Sequence, residues 1–550
     1  MFLLIYYLTL VGGAIAAPFL QRLNDTTHVI GNDLWNITIG RQYGVKLYYK
    51  EHDLVGDAWG HYVSYNGAQS DLNWTSGDIH HQGDDYLDVR FTANEGDFHW
   101  VIFDGLAGAY QYFINRALPV LGEFRTLFRL DNTTFPNGRT NIKDEALPTL
   151  SDILNSTKVQ DETWQRADGS YITKYDFSTF IREQDYYGVY GDEFGSWYIH
   201  PGKDYYNGNQ LKQELTVHRE SATGDAVQLN MIHGTHFQAS SSDAFPDGKV
   251  WGPWLWYLND GSKSDAKDRA DKEFASWPYT WFDDADYHSR GSVSGRLVLS
   301  DGRAASGASV FLGDNHPNKT ALDMGTLYYY TSQADDKGNF IFENVRTGEY
   351  GLQAWSDGGE IRDVSTTLQY NDVKVEEKEN KLGQINWDSP PRNIIFQIGD
   401  FDRKTLGFKY GGSPYEHAVV ARCPKNLTYT VGSSKTEDWC FGQSSGTWRI
   451  LFTSNTTSPA TLTISLAGYS SGTTAQILLN GSKIGNLTSL SNDPGLYRSA
   501  TTAGEWRVVQ VEIGGMRRGW NAIDLEVQES SEWRGFMWDS LLLAGDVVSY

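Results

Sequence analysis

Residues 35–49 read WNITIGRQYGVKLYY, and the order of these letters decides the fold. Trp35, Ile37 and Ile39 share one face of an extended chain, and after a glycine-bounded turn Val45, Leu47 and Tyr49 do the same. Successive side chains of a strand point to opposite faces, so a period of two predicts strands with one buried face. Leu87, Val89 and Phe91 repeat the pattern, and turns rich in Gly, Asn and Asp separate the runs. This is the sequence style of β-sandwiches. Helical patterning is rare; the best instance is Ser264–Ala275, a charged amphipathic stretch ended by Pro278. The chain is therefore read as all-β.

The chain has 550 residues, several times the roughly 150 residues of one domain. The first boundary is read at Tyr287–Arg290. Beyond it, GSVSGRLVLSDGRAASGASVFLG (291–313) gives two strands around a turn. In ADDKGNFIFENVRTGEYGLQAWSDGG (334–359), Gly338 starts one strand and Gly348 turns into another. Such short strands predict a small immunoglobulin-like sandwich over 289–388. Pro390-Pro391 punctuates the second boundary, and strands such as Leu427–Val431, Thr461–Leu466 and Phe536–Leu543 predict a jelly roll over 389–550, a module that often binds carbohydrate.

Hydrophobic residues make up 40% and charged residues 21%, enough apolar material for sizeable cores. Acidic residues outnumber basic ones by 69 to 46, for a net charge of −23. Nucleic acid and anionic membrane are thereby excluded as main partners, and an anionic ligand needs a local cationic site. The leader MFLLIYYLTLVGGAIAA presents Ala14-Ile15-Ala16, an A-x-A pattern that predicts a signal peptide cleaved after Ala16. Ten Asn-x-Ser/Thr sequons, at Asn24, Asn36, Asn73, Asn132, Asn155, Asn318, Asn426, Asn455, Asn480 and Asn486, agree with a secreted, extracellular glycoprotein. Cys423 and Cys440, the two cysteines, are expected to form one disulfide in that compartment.

LGEFRTLFRLD (121–131) carries the most informative face. On a strand, Phe124, Thr126, Phe128 and Leu130 point one way and Arg125, Leu127 and Arg129 the other. Two guanidiniums on one face are either edge arginines bonded to carboxylates or a clamp for a ligand carboxylate. In YITKYDFSTF (171–180), Lys174 lies among aromatics. Partial desolvation and nearby arginine would make such a lysine a base near neutral pH, whereas a surface lysine would snorkel past the rings. NMIHGTHFQ (230–238) spaces His233 and His236 three apart. Gly234 speaks against the helix a metal pair would need, so an acid/base histidine is the better reading. WGPWLWYLND (251–260) offers Trp254, Trp256 and Tyr257 as core or as a sugar-stacking wall. Neither a G-x-S-x-G elbow nor H-E-x-x-H is read, and no carboxylate pair for glycoside hydrolysis stands out.

At these residues the chain resembles the rhamnogalacturonan lyases of polysaccharide lyase family 4. The resemblance is carried by LGEFRTLFRLD, Lys174-Tyr175, GSWYIHPGKDYYNGNQLKQELTVH (195–218), GTHF, KVWGPWLWYLN, FQIGDFDRKTLGF (396–408) and LTYTVGSS (427–434), in that order. It implies a galactose-mutarotase-like β-sandwich over 17–288, then a fibronectin-III-like domain, then a carbohydrate-binding-like jelly roll. It also implies an endolyase that cleaves rhamnose–galacturonate bonds of the rhamnogalacturonan I backbone of pectin by β-elimination. Lys174 becomes the base and His236 the acid, with Arg125, Arg129, His233, Trp256 and Tyr257 binding substrate. No cofactor is required, and no metal site is assigned. The many Asp residues leave room for structural calcium, although no EF-hand-like spacing supports it. A monomer is expected, with no membrane contact after leader cleavage. In one respect the chain departs from some fungal members, which carry a histidine where Asn259-Asp260-Gly261 here leads into Ser262. A non-catalytic wall-binding protein and a glycoside hydrolase on the same polymer are the rival readings.

Overall fold

Alternating apolar residues from Phe19 onward pair into two antiparallel sheets, seen in a computed structural model that describes residues 17–66, 71–206, 211, 213–234, 244–320, 325, 327–412, 419–470, 472–488, 496, 506–528 and 531–545. Among the described residues each sheet has nine strands. The first runs from Phe19–Asn24 through Trp35–Ile39, Gly44–Tyr49, Gly60–Tyr65 and Glu123–Leu130 to Ala226–Gly234 and Val217–Arg219. The second runs from Asp144–Ala146 through Tyr186–Tyr190, Gly195–Ile199, Val250–Asn259 and Gly108–Asn115 to Tyr86–Thr92 and Ser76–Gln82. Their inner faces meet in an aromatic core, where Phe128 stacks on Trp256 at 4.6 Å and Trp35 meets Trp256 edge-on at 5.1 Å.

Trp35, Ile37, Ile39, Leu47 and Tyr49 are buried as the alternation predicts, but Val45 is exposed. The reason is a bulge: Thr38 pairs with Lys46 and Ile39 with Gly44, so Val45 is skipped in the ladder and turned outward. The helix read at Ser264–Ala275 spans Lys263–Ser276. The Ser262 side chain caps it by accepting from the Asp265 backbone amide, and the helix covers the outer face of the second sheet with Ala266, Ala270 and Glu273 buried.

Residues 290–387 form a smaller sandwich, with three strands facing four around Val293, Leu312, Phe340 and Trp387. Residues 393–545 form a third, with two five-stranded sheets around a cluster in which Trp439 meets Trp448 edge-on at 4.9 Å. Cys423 and Cys440 are bonded in it. Just over half of the described residues are strand and 8% are helix. The first two units are joined by a buried ion cluster, in which the Asp204 carboxylate accepts from Arg290 and Arg346, each at 3.1 Å. Burial pushes the Asp204 carboxyl up, but the two guanidiniums outweigh it and hold it below the usual range.

Candidate active site

The outer face of the first sheet is where the strand Glu123–Leu130 shows its arginines. Phe124, Thr126, Phe128 and Leu130 are fully buried in the core, and Leu127 joins Tyr62, Val227, Leu229 and Tyr175 in an apolar floor on the opposite side. Above this floor lies a cleft of about 310 Å³ lined by Arg125, Arg129 and Lys174, with Trp59 at its rim and Asp71, His218 and Glu220 in its walls. Two stretches far apart in the chain thus bring an arginine pair and a lysine into one groove.

The two arginines differ in what they are already doing. Arg129 is buried; its Nε donates to Asp225 at 2.7 Å, its Nη2 donates to Thr223 at 2.6 Å, and its guanidinium lies 4.4 Å from the Trp59 ring. Arg125 makes one ion pair, Nη1 to Glu123 at 3.2 Å, while its buried Nε has no hydrogen-bond partner among the described residues. A buried donor without an acceptor costs free energy that an incoming carboxylate recovers. Of the pair, Arg125 keeps a buried donor uncommitted, and Arg129 is spent on the wall.

Lys174 stands in the turn after the short strand Tyr171–Thr173, its backbone amide donating to Glu162 at 3.0 Å. Its Nζ lies 3.6 Å from a Glu220 carboxylate oxygen, and that same oxygen is 4.0 Å from His218 Nε2. Glu220, Thr223 and Asp225 all come from one hairpin between Val217–Arg219 and Ala226–Gly234. Gly224 closes that hairpin at φ +82, a left-handed conformation that favours glycine. The hairpin thus supplies the counter-charges for both Arg129 and Lys174. Sequence reading missed Glu220 and His218, although His218 ends the Gly195–His218 stretch that carries the resemblance. Asp71, which accepts from the Tyr43 hydroxyl at 2.6 Å, was missed as well.

Three residues assigned to substrate lie elsewhere. His233 faces inward: a bulge between Phe124 and Arg125 pairs Phe124 with His233 and Arg125 with Met231, so the imidazole packs at 4.8 Å against Phe245. Trp256 is fully buried between the sheets, its Nε1 donating to Ser196 at 3.0 Å. Tyr257 points to the outer face of the second sheet and donates to Asp265 of the helix at 2.8 Å. Burial and that carboxylate push the Tyr257 phenol up, beyond any working pH. Ser262 serves as the cap of that helix. His236 lies outside the described residues.

A larger cleft of about 640 Å³ opens beside Tyr171–Thr173, with Arg422 of the third unit on its far side. Its charges neutralise each other: Lys143 pairs with Asp176 and Glu145, and Arg166 is bidentate to Asp152. It offers a ligand less than the smaller groove does. Gly442–Gly446 and Gly468–Gly472 carry the letters G-x-S-x-G, which corrects the reading that the motif is absent. The first of these joins two strands rather than a strand to a helix, so it is not the turn that exposes a nucleophile. No group of three or more His, Cys, Asp or Glu that could hold a metal ion occurs among the described residues.

Comparison with known proteins agrees with this architecture. Residues 290–381 match polysaccharide lyase family 4, domain II, and residues 394–543 match its domain III. A rhamnogalacturonate lyase of Dickeya dadantii is 35% identical over 466 residues, covering 80% of this chain and 78% of that protein. Rhamnogalacturonate lyase B of Emericella nidulans is 24% identical over 545 residues, 81% of this chain and 80% of that one. A probable rhamnogalacturonate lyase B of Aspergillus niger is 25% identical over 397 residues; there the match covers 61% of this chain and spans about half of the relative, 54%. The chain belongs to polysaccharide lyase family 4.

Proposed function

We propose that this protein is a secreted, glycosylated endolyase that cleaves the rhamnose–galacturonate bonds of rhamnogalacturonan I by β-elimination. The relatives' names supply the polymer, and the groove supplies the chemistry. The observation that carries the reading is the unpartnered, buried Arg125 Nε in the same cleft as Lys174.

The hydrogen on C5 of a galacturonate is weakly acidic because the adjacent carboxylate already bears negative charge. The Arg125 fork binds that carboxylate and stabilises the enolate-like charge that grows on it in the transition state. Lys174 takes the C5 proton on its nitrogen, and the electron pair of the C5–H bond forms the C4–C5 double bond. The C4–O bond breaks, and the departing rhamnose oxygen receives a proton from an imidazole. The ammonium formed on Lys174 is neutralised by the Glu220 carboxylate at 3.6 Å. His236 is assigned the proton donor by resemblance; among the described residues His218 is the imidazole that lines the groove.

The products differ from those of a hydrolase by one water. Digestion of debranched rhamnogalacturonan I by the pure protein is expected to generate ultraviolet-absorbing unsaturated uronate ends, at the same rate with and without a chelator. Chain shortening with saturated ends makes the protein a hydrolase, and binding without shortening makes it a wall-binding protein. Rate loss on chelation that calcium restores would overturn the metal-independent part.

A further inference from the structure

We propose that the protein carries a second saccharide site, on the outer face of the second sheet, and that this site takes uncharged sugar residues. The cleft has a volume of about 300 Å³ and lies between the strands Ser76–Gln82 and Tyr86–Thr92 and the loop Trp281–Asp284. That is the lower end of the size range of ligand clefts. Its lining differs in kind from that of the first groove. Tyr86 and Trp281, both half-buried, line it with their ring centres 6.3 Å apart; Asp88, Asp283 and Asp284 line it with carboxylates, of which Asp283 is exposed. No lysine or arginine lines it among the described residues. Arg90, close by, is held bidentate by Asp78.

Asp88 is fixed from two sides: the Tyr112 hydroxyl donates to one oxygen at 2.6 Å, and His99 Nδ1 contacts the other at 2.9 Å. His99 is fully buried, and its Nε2 has no hydrogen-bond partner among the described residues. Its ring meets that of His80, a lining residue, edge-on at 5.0 Å. Aromatic faces with rigid acceptors suit the C–H faces and hydroxyls of a sugar. The carboxylates repel a uronate, whereas the first groove, with Arg125, Arg129 and Lys174, attracts one. The acceptors do not form a metal cluster, so a cation is the poorer occupant. The two faces of the first domain are thus sorted by charge, one for the acidic sugar and one for neutral sugars. The inference does not depend on the cleavage reading, because its test reads binding alone.

The test is native affinity electrophoresis of the full-length Lys174→Ala protein in gels containing galactan, arabinan, xyloglucan or glucomannan, with polygalacturonate as the acidic comparison. At least one neutral polymer is expected to retard the protein, with EDTA present. Trp281→Ala and, separately, Asp283→Ala are expected to weaken that retardation roughly tenfold in apparent Kd. Retardation by polygalacturonate should not change. Asp283 is exposed, so its variant decides the matter if Trp281→Ala does not fold. The proposal is overturned if no neutral polymer retards the protein, or if Asp283→Ala leaves the retardation intact. It is equally overturned if EDTA abolishes retardation, or if polygalacturonate binding falls in parallel.

Discussion

Replacing Arg125 by alanine separates the carboxylate clamp from everything else in the groove. The guanidinium has a buried Nε without a partner and an Nη1 held by Glu123 at 3.2 Å. A bound carboxylate would therefore gain charge-assisted hydrogen bonds worth about 1.5–3 kcal/mol each. Part of that gain is present in the ground state, and the part that grows with the enolate-like charge acts on the chemical step. Losing both is expected to lower kcat/KM by roughly 2–4 kcal/mol, or about 30- to 1,000-fold, shared between KM and kcat. Stability should change little, since loss of the Arg125–Glu123 pair is offset by removal of the buried, unpartnered Nε.

Initial rates of unsaturated-end formation read the effect, and methyl-esterified substrate supplies the control. Esterification removes the charge that Arg125 is built to meet. The advantage of the wild-type protein over Arg125→Ala should then collapse toward unity on the ester while remaining large on the acid. A variant whose kcat/KM on the acid stays within about threefold of wild type, or whose deficit is the same on acid and ester, would refute the clamp.

Lys174→Ala is expected to abolish formation of unsaturated ends while leaving the melting temperature and polymer retention unchanged; near-normal rates would remove Lys174 from the mechanism. Arg129→Ala should act on stability instead, because it strands the buried Asp225 carboxylate; a loss of about 3–5 kcal/mol by denaturant unfolding is expected. In the third domain, burial pushes the Asp402 carboxyl up and the neighbouring Asp539 charge adds to it. The folded state therefore holds a proton that the unfolded chain releases above its ordinary value of 3.8. Stability then falls as pH rises from that value through the raised one, and Asp402→Asn is expected to flatten the fall and raise the melting temperature at alkaline pH. A pH profile of melting unchanged by the substitution would contradict it.

Much of this could be read from the chain alone, because the strands that build the groove alternate strictly. Phe124–Leu130 sorts its side chains between core and cleft as its letters predict, and the helix Lys263–Ser276 is announced by Ser262 and stopped near Pro278. Single-residue bulges were not legible: one turns Val45 outward and another turns His233 inward, and each inverts the side that a period of two assigns. Nor does a strand say which of its two faces is open. Trp256 and Tyr257 are neighbours on one strand, yet one ring is closed between the sheets and the other is closed under a helix. Glu220 and His218 escaped because they flank a hairpin whose partners, Lys174 and Arg129, are remote in sequence.

The charge of the whole chain and the charge of the groove have opposite signs, and the contrast has a physical reason. At a net −23, a polyanionic substrate is repelled at long range, so steering cannot bring it in. That repulsion is screened over roughly 10 Å at moderate ionic strength. Within a partly buried cleft screening is weaker, so an ion pair made there outlasts the field around it. On the proposed reading Arg125 supplies such a contact: Arg129 and Lys174 are held by Asp225 and Glu220, and Arg125, paired with Glu123 through Nη1, keeps its Nε uncommitted. Three unpaired cations in 310 Å³ would repel one another and oppose folding; each is paired with a carboxylate, and the groove still keeps one buried donor, Arg125 Nε, uncommitted. The hairpin that carries Glu220 and Asp225 thus commits Lys174 and Arg129, which leaves Arg125 as the arginine with a donor to give.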